Sequence, residues 1–334
     1  MTRTTRPFHL DRRTLLGAAG VAALGFARGA SAQAAYPTKP ITLVIPWPPG
    51  GFNDVLGRTV GAQLQQVLGQ PVVIENKGGA NGMLGTAEVA KQPADGYTLM
   101  FHSVTSHAVN PFVYSRVPYS TERDIVPLAV VASVPLLLVA NPALGVKTLP
   151  QLVELVKRQP GLNWASFGNG SASHLAGALF ARQAGLDMTH VPYKGGGPAL
   201  TDVLGNQVPL FYSAFGLALP HVKAGKLVAL GTTGATRSKQ LPDVPTIAEA
   251  AGLRGYEMSI VYALWAPNGV RPEIVARIEK AVEQVISTDA FKERLASEGA
   301  DAMRILTPTE SRAYFTAESA RLGKIVKDNG ITLE

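Results

Sequence analysis

Short apolar runs alternate along the chain with longer stretches in which apolar residues recur every three or four positions. The first run, residues 41–45 (ITLVI), has the length and composition of a buried strand. The stretch after it has helical spacing, and Gly69 supplies a stop signal. Its apolar positions are Val55, Leu56, Val60, Leu64, Val67 and Leu68. The pattern therefore predicts a strand, a tight loop and an amphipathic helix.

The same alternation of strand and helix continues through most of the chain. Further apolar runs predict strands at residues 71–75, 96–101, 162–167, 189–193, 208–213 and 227–232, with helical patterns between them. Such alternation is typical of an α/β protein whose parallel sheet carries helices on its faces. Ligands of these proteins bind beyond the carboxyl ends of the strands, so the loops that follow the strands are the candidate site.

Two longer apolar segments predict passages between two lobes. Residues 126–139 contain Pro127 and Pro135, so a single uninterrupted strand is not expected there. Residues 259–267 (SIVYALWAP) form the second segment. Together they predict a two-lobed α/β fold with a hinge of two crossing segments. Lobe 1 is expected from residues 36–135 and 257–334, and lobe 2 from residues 136–256.

The loop at residues 46–54 (PWPPGGFND) has the features of an anion site. Its prolines stiffen the chain, while Gly50 and Gly51 allow a sharp turn and a close approach of the backbone to a guest. The helix behind the loop, predicted to begin near Asn53 or Asp54, presents unpaired N–H groups and the positive end of its dipole. The alternative is an ordinary strand-to-helix connection in which Asn53 or Asp54 caps the helix.

The loops that follow residues 45, 75 and 101 are expected at the same edge of the sheet, and two further loops are expected in lobe 2. Residues 102–111 (HSVTSHAVNP) have the composition of a polar loop, and residues 168–174 (GNGSASH) and 194–202 (KGGGPALTD) each precede a helical pattern. Residues 76–91 are also rich in glycine. Their glycines do not have the G-x-G-x-x-G spacing, so a dinucleotide site is not favoured.

The first 32 residues have the pattern of an export signal. Arg12 and Arg13 precede an apolar stretch from residue 15 to residue 26, and small residues ending at Ala32 suit a cleavage site. The adjacent arginines match the twin-arginine pattern, and the apolar stretch is too short for a membrane span. We expect cleavage after Ala32 and a soluble periplasmic chain that begins near Gln33.

The charge of the chain changes when this signal is set aside. Five of the 31 basic residues and one of the 24 acidic residues lie in it, so 26 and 23 remain and the net charge is +3 instead of +7. No basic cluster is left, and nucleic acid is not an expected partner. Because the chain has no cysteine, it has no disulfide, no thiolate zinc site and no lipid-modified N-terminal cysteine.

A catalytic or metal centre is the alternative class of function. Ser171 and Ser173 lie near His174, but there is no G-x-S-x-G motif, and adjacent residues at a helix start are a poor nucleophile and base. His102 and His107 lack an acidic third ligand at a metal spacing. We therefore predict no enzyme activity, no cofactor and no bound metal, and a secreted hydrolase is a remote alternative.

Six motifs, in the same order, resemble those of one family. They are PWPPGGFND, ENKGGANGMLG, DGYTLMF, ASFGNGSASHLAGALF, VPYKGGGPALTDVLGNQV and LPDVPTIAEA. They are similar to the motifs of the Bug/TctC family, the periplasmic solute receptors of tripartite tricarboxylate transport systems, and the similarity covers essentially the whole mature chain. It implies a periplasmic-binding-protein fold of the type II-like, Venus-flytrap kind that closes on a small carboxylate. It also implies delivery of that ligand to inner-membrane transporter subunits, and we expect the receptor to be a monomer.

The resemblance further implies which loops hold the carboxylate. These are residues 48–54 and 166–174, which would act through backbone amides, short hydroxyls and bridging waters. No arginine lies in the predicted cleft loops, so we expect dipoles and hydroxyls to hold the anion. The full set of expected ligand-binding residues is Pro48, Gly50, Gly51, Phe52, Asn53, Asp54, His102, Ser103, Ser166, Phe167, Asn169, Ser171, Ser173, His174, Asp202 and Phe215.

Aromatic residues near these loops favour an aromatic mono- or dicarboxylate as the ligand. Phe52, Phe167 and Phe215 are the best candidates to line the cleft, whereas Trp47, Phe101 and Tyr212 fit core positions equally well. A second carboxylate would face His102, Ser103 and Thr105. Aliphatic di- or tricarboxylates and acidic amino acids are the alternatives. An amino acid would need a carboxylate for its ammonium group, and the candidates are Asp54 and Asp202.

The twin-arginine pattern leads to a test of export. Replacing both Arg12 and Arg13 by lysine should leave the precursor in the cytoplasm, because this pathway reads the arginine pair. Cell fractionation with an antibody to the mature chain measures it. Efficient appearance of the variant in the periplasm would show that the signal is of the ordinary secretory type.

Overall fold

The computed structural model describes residue 2 and residues 36–300, 306–328 and 330–331. Apart from residue 2, the predicted export signal lies outside the described residues. The chain divides into two compact units, Met1–Thr38 and Lys39–Glu334. In the first unit, residue 2 and residues 36–38 are described, and they belong to no helix or strand. The fold below is that of the second unit.

Strands and helices alternate in the described residues of this unit. The strands are β1 (Ile41–Ile45), β2 (Val72–Asn76), β3 (Thr98–Ser103), β4 (Ile125–Ala140), β5 (Leu162–Ser166), β6 (Met188–Pro192), β7 (Leu210–Ala214), β8 (Val228–Thr232) and β9 (Ser259–Pro267). The α-helices are α1 (Phe52–Leu68), α2 (Met83–Val89), α3 (Val104–Val113), α4 (Leu149–Arg158), α5 (Ala172–Gln183), α6 (Gly196–Leu204), α7 (Phe215–Lys223), α8 (Ile247–Ala251), α9 (Pro272–Ser287), α10 (Asp289–Ser297) and α11 (Pro308–Asp328).

The sheet has two halves that share β4. The first half-sheet has the order β2, β1, β3, β9 and β4, with β1 parallel to β2 and β3. The second half-sheet continues from β4 to β7, β5 and β6, with β5 parallel to both neighbours, and β8 also pairs with β4. This arrangement confirms the predicted α/β class. The exact lobe boundaries remain a prediction.

The expectation that residues 126–139 would not form one strand is wrong. β4 runs through both prolines, from Ile125 to Ala140. Its register to β9 shifts between Pro127 and Ala129 and again between Val130 and Ala132, so bulges absorb the irregularity. The partner of β4 also changes: Pro135 pairs with Ser259, and from residue 136 the partners are β7 and β8.

Helix α1 begins one residue earlier than expected. Its N-cap is Gly51, in extended conformation and without a side-chain bond, so neither Asn53 nor Asp54 is the cap. The first helical hydrogen bond runs from the Val55 N–H to the Gly51 carbonyl, 3.0 Å. The predicted stop is confirmed, because Gly69 is left-handed at the C-cap.

Residues 102–111 are not a polar loop. His102 and Ser103 end β3, and the following residues form α3 with the Ser103 hydroxyl accepting from the Ser106 N–H at 3.1 Å. The polar side chains of this segment are buried, and several form hydrogen bonds inside the protein: Thr105, for example, donates to the Ser259 carbonyl at 3.1 Å. The polar sequence pattern therefore predicted a loop where the structure has a buried helix. The pattern also did not reveal α8 or α10 as separate helices.

Each half-sheet has its own apolar core. In the first, Leu43, Leu56 and Leu99 are buried between sheet and helices. In the second, Leu137, Ala165, Val203, Phe211 and Phe215 belong to one cluster. No helix among the described residues is long and apolar enough to span a membrane.

Candidate functional site

A cavity of about 610 Å³ lies between elements of the two half-sheets. Its wall is formed by residues of the loop before α1, of the starts of several other helices, of β9 and of α10. The lining residues are Trp47, Pro48, Pro49, Gly50, Gly51, Phe52, Asn53, Val55, Ser103, Ser106, Phe167, Ser171, Ala172, Lys194, Gly195, Gly196, Gly197, Pro198, Ala214, Gly216, Leu217, Ile260, Tyr262, Arg294 and Glu298.

Five helices begin at the wall of this cavity. They are α1, α3, α5, α6 and α7, and each follows the carboxyl end of a strand, namely β1, β3, β5, β6 and β7. The first N–H groups of a helix have no partner within it, and the dipole makes that end positive. A cavity bordered by five such ends is suited to an anion.

Asp54 supports the first of these helix starts from behind. Its carboxylate is buried and accepts from the Gly50 N–H at 2.9 Å, from Arg58 Nε at 2.9 Å and from Asn76 Nδ2 at 2.8 Å. Burial alone would raise the pKa of Asp54, but the hydrogen bonds from Arg58, Gly50 and Asn76 outweigh it and lower that pKa. Asp54 does not line the cavity; it holds the glycine loop in place.

The serine and histidine side chains near α5 have the same supporting role. Ser171 lines the cavity and caps α5 by accepting from the His174 N–H at 3.2 Å, while its hydroxyl donates to the Gly168 carbonyl at 2.6 Å. Ser173 donates to the Tyr212 carbonyl at 2.6 Å. Both hydroxyls are thus used in local structure, and neither is paired with His174 as a nucleophile with its base.

His174, Ser166, Asn169 and Asp202 lie outside the cavity wall, so their contact with a ligand stays a prediction. His174 Nδ1 accepts from the Gly170 N–H at 3.2 Å, and Ser166 lies 2.6 Å from His190 Nε2. The Asn169 carbonyl and the Asp202 carboxylate accept from tyrosine hydroxyls, those of Tyr114 and Tyr193. Each of the four residues thus has a hydrogen-bond partner within the protein.

His102 is fully buried behind the cavity. Its Nδ1 accepts from Trp47 Nε1 at 3.2 Å, and Trp47 lines the wall. Burial lowers the pKa of His102 to about 3, so this ring is neutral at physiological pH. The expected direct contact between His102 and a ligand carboxylate is therefore replaced by support of Trp47, whereas Ser103 does line the cavity.

The aromatic wall differs from the expected one in two members. Phe52 and Phe167 line the cavity as predicted, but Phe215 is fully buried in the core of the second half-sheet. Trp47 and Tyr262 take part instead, and the Tyr262 ring is edge-on to the Phe52 ring at 5.4 Å. Phe101 and Tyr212 are core residues.

Sequence reasoning missed the charged part of the wall. Lys194, Arg294 and Glu298 line the cavity, although no arginine lies in the loops at the strand ends. Arg294 and Glu298 come from α10 and the residue after it, more than 75 positions from the nearest of those loops along the chain. No local motif connects them, so only the tertiary fold brings them to the site. Among the described residues, no group of three or more possible metal ligands is present.

Two halves joined by crossing strands, with a cavity at the strand ends between them, define the class of periplasmic binding proteins. The chain belongs to the TctC family, the tripartite tricarboxylate transporter family receptors, which match residues 56–331. It is 37% identical over 316 residues to protein BugT of Bordetella pertussis, covering 94% of this chain and 96% of BugT. The predicted family and fold class are therefore confirmed.

Solved structures agree with this assignment. The fold is similar to that of R. palustris Rpa4515 with adipate, with a TM-score of 0.84, 35% identity and coverage of 89% of this chain and 100% of that chain. It is also similar to MatC from Rhodopseudomonas palustris with bound malate, with a TM-score of 0.80, 31% identity and coverage of 87% and 100%.

The buried state of His102 leads to a prediction about pH. Its pKa of about 3 in the folded protein lies below the ordinary value of 6.5, so unfolding below pH 6.5 takes up a proton. The associated stability is present above pH 6.5 and is lost as pH falls, by about 1.4 kcal/mol per pH unit for one such histidine. His102→Asn, which retains an acceptor for Trp47, should show a smaller loss between pH 6.5 and pH 5.

Urea unfolding of both proteins across this range measures the effect. Above pH 7.5 the two pH slopes should coincide, because this histidine is neutral in both folded and unfolded chains. Equal slopes below pH 6.5 would mean that His102 is not held neutral by the fold.

Proposed function

We propose that this chain is a periplasmic receptor that binds a small carboxylate in the 610 Å³ cavity and delivers it to the membrane subunits of a tripartite transporter. The observation that carries the proposal is the convergence of helix N-termini at one cavity wall. Membership of the receptor family supports the transport role. The mature receptor acts as a monomer in the periplasm, after removal of its signal near Ala32.

One carboxylate of the ligand is held at the start of α1 by the N–H groups of the first helical turn, beside Gly51 and Asn53. It faces the start of α5, where Ser171 lines the cavity. The Asn53 side chain also presents a hydrogen-bond acceptor at the cavity wall. Its Oδ1 is buried without a protein partner among the described residues. A bridging water or a hydroxyl of the ligand suits that atom. Asp54, His102, Ser173 and His174 keep the loops in position from behind.

The body of the ligand is an aromatic ring. Trp47, Phe52, Phe167 and Tyr262 line the cavity, and together with Ile260 and Leu217 they provide a largely apolar wall. A ring between such side chains gains buried area and about 0.5–1.5 kcal/mol for each well-placed ring pair. We therefore retain an aromatic mono- or dicarboxylate as the first candidate.

An aliphatic dicarboxylate is the second candidate. Two similar proteins of known structure carry adipate and malate, at 35% and 31% identity to this chain. An acidic amino acid is less favoured. Asp54 and Asp202 are occupied by protein donors away from the cavity, and Glu298 is already paired with Arg294.

A ligand screen tests the receptor function and its ligand class together. Thermal shifts should be measured with aromatic and aliphatic mono-, di- and tricarboxylates. A ligand present at 100 times its Kd adds about 2.7 kcal/mol to the free energy of unfolding. Phe167→Ala should weaken an aromatic acid by about tenfold or more, through lost ring contact, and leave a short aliphatic diacid nearly unchanged.

Phe112→Ala is the matched control, because Phe112 is exposed and does not line the cavity. It should leave every affinity unchanged. Tighter binding of citrate or succinate than of every aromatic acid would refute the aromatic ligand while leaving the receptor function intact. Absence of binding by any carboxylate would refute the receptor function itself.

Closure about β4 and β9 accompanies binding in this proposal. Ligand contacts with both half-sheets favour the closed arrangement over the open one, since the two differ in the number of contacts made. Small-angle X-ray scattering should show a smaller radius of gyration at saturating ligand than without it. An unchanged radius would argue against a hinge at these strands.

A further inference from the structure

Arg294 and Glu298 form an ion pair at the cavity wall, and neither residue lies in one of the predicted ligand-binding loops. Glu298, directly after α10, is 1% exposed, and its Oε1 is paired with Arg294 Nη2. Its Oε2 accepts from the Gly216 N–H at 2.6 Å, in the first turn of α7. The pair therefore links the C-terminal helices to a helix of the second half-sheet.

The protein itself supplies the anion at the start of α7. A Cβ on residue 216 would overlap Glu298 Oε1, so glycine at this position is what lets the carboxylate reach the helix end. Because Glu298 occupies it, this N-terminus is not open to a ligand carboxylate. The starts of α1, α3, α5 and α6 are the ones left for the ligand.

Arg294 is held in a fixed place by the same pair. Its guanidinium lies 5.5 Å from the centre of the Phe52 ring, and its Nε is buried with no partner among the described residues. The planar guanidinium is well matched to a carboxylate and loses little freedom when it is already oriented. Lys194, the other cationic residue of the wall, is exposed on a flexible stem.

We propose that Arg294 is a specificity-determining residue that receives the second carboxylate of a dicarboxylate ligand, and that Glu298 positions it. The inference rests on the proposed receptor function and narrows the ligand class from carboxylates to dicarboxylates. The first carboxylate lies at the starts of α1 and α5, and the body of the ligand passes the Phe52 ring to reach Arg294. Glu298 keeps the guanidinium at the wall and also weakens its attraction for anions.

Pairs of acids that differ by one carboxylate test this proposal. The probes are terephthalate with benzoate, and adipate with hexanoate, titrated by calorimetry into the full mature chain. The wild-type protein should bind at least one diacid about tenfold or more tightly than its monoacid, since a charge-assisted hydrogen bond contributes that much. Arg294→Gln should bring the diacid to within about threefold of the monoacid. The monoacid affinity should stay unchanged.

The Glu298→Gln variant distinguishes a positioning role of Glu298 from a purely structural role of the ion pair. The isosteric amide keeps an acceptor for the Gly216 N–H but removes a negative charge near the second carboxylate. The diacid should then bind about threefold or more tightly, with little change for the monoacid. A structural pair predicts instead that both substitutions weaken every acid alike.

One control variant and one variant of the competing cation test the assignment to Arg294. Arg321→Gln removes a cation that is paired with Glu318 on α11, away from the cavity, and should change neither affinity. Lys194→Gln changes the other cation of the cavity wall and tests the competing assignment, in which Lys194 receives the second carboxylate. If Lys194→Gln abolishes the preference and Arg294→Gln does not, the assignment to Arg294 is overturned.

The remaining outcomes are equally decisive. Equal binding of each diacid and its monoacid by the wild type overturns this inference and leaves the receptor function standing. Equal weakening of both acids by Arg294→Gln, with a lower unfolding temperature, shows a structural role and also overturns it. A folded wild-type chain that binds none of the four acids refutes both this inference and the carboxylate receptor on which it rests.

Discussion

The pairing of β4 with strands of both half-sheets is the constraint on which the site depends. One continuous strand pairs with β9 along residues 125–135 and with β7 and β8 along residues 136–140. Each half-sheet also has a parallel set of strands, and the carboxyl ends of both sets border one cavity. Because short connections follow those ends, the next helices must begin there. The five positive helix ends are therefore a consequence of topology.

The acidic residues near the cavity are consistent with this use of helix ends. Asp54 is bonded to Gly50, Arg58 and Asn76, and Glu298 is bonded to Gly216 and Arg294. A bonded carboxylate repels an incoming anion less than an unpaired one, and a burial cost is offset by its hydrogen bonds. The same acids also set the loop and the arginine in place. The hydrogen bonds of Asp54 and Glu298 therefore have two effects: they reduce the repulsion of an anion, and they hold the site rigid.

The polar residues at the end of β3 and in α3 are buried and not exposed to solvent. His102, Thr105 and Asn110 lie in β3 and α3 and are fully buried. Their hydrogen-bond partners are Trp47, the Ser259 carbonyl and Asn81. Their environment lowers the pKa of His102 and removes it as a charged partner for a ligand. The support that these residues give to Trp47 and to β9 explains why a polar segment lies inside the fold.

The sequence by itself determined the elements whose signals are local: the strand at residues 41–45, the stop at Gly69 and the glycine loop before α1. Alternation of apolar runs with helical spacing also determined the α/β class, because burial of each run requires a sheet covered by helices. Tertiary structure decided the rest. Whether Phe215 faces the core, whether β4 is continuous, and whether Glu298 meets Gly216 depend on contacts between residues far apart along the chain. Gly216 and Glu298, for example, are 82 positions apart, and such contacts leave no periodic trace in a sequence.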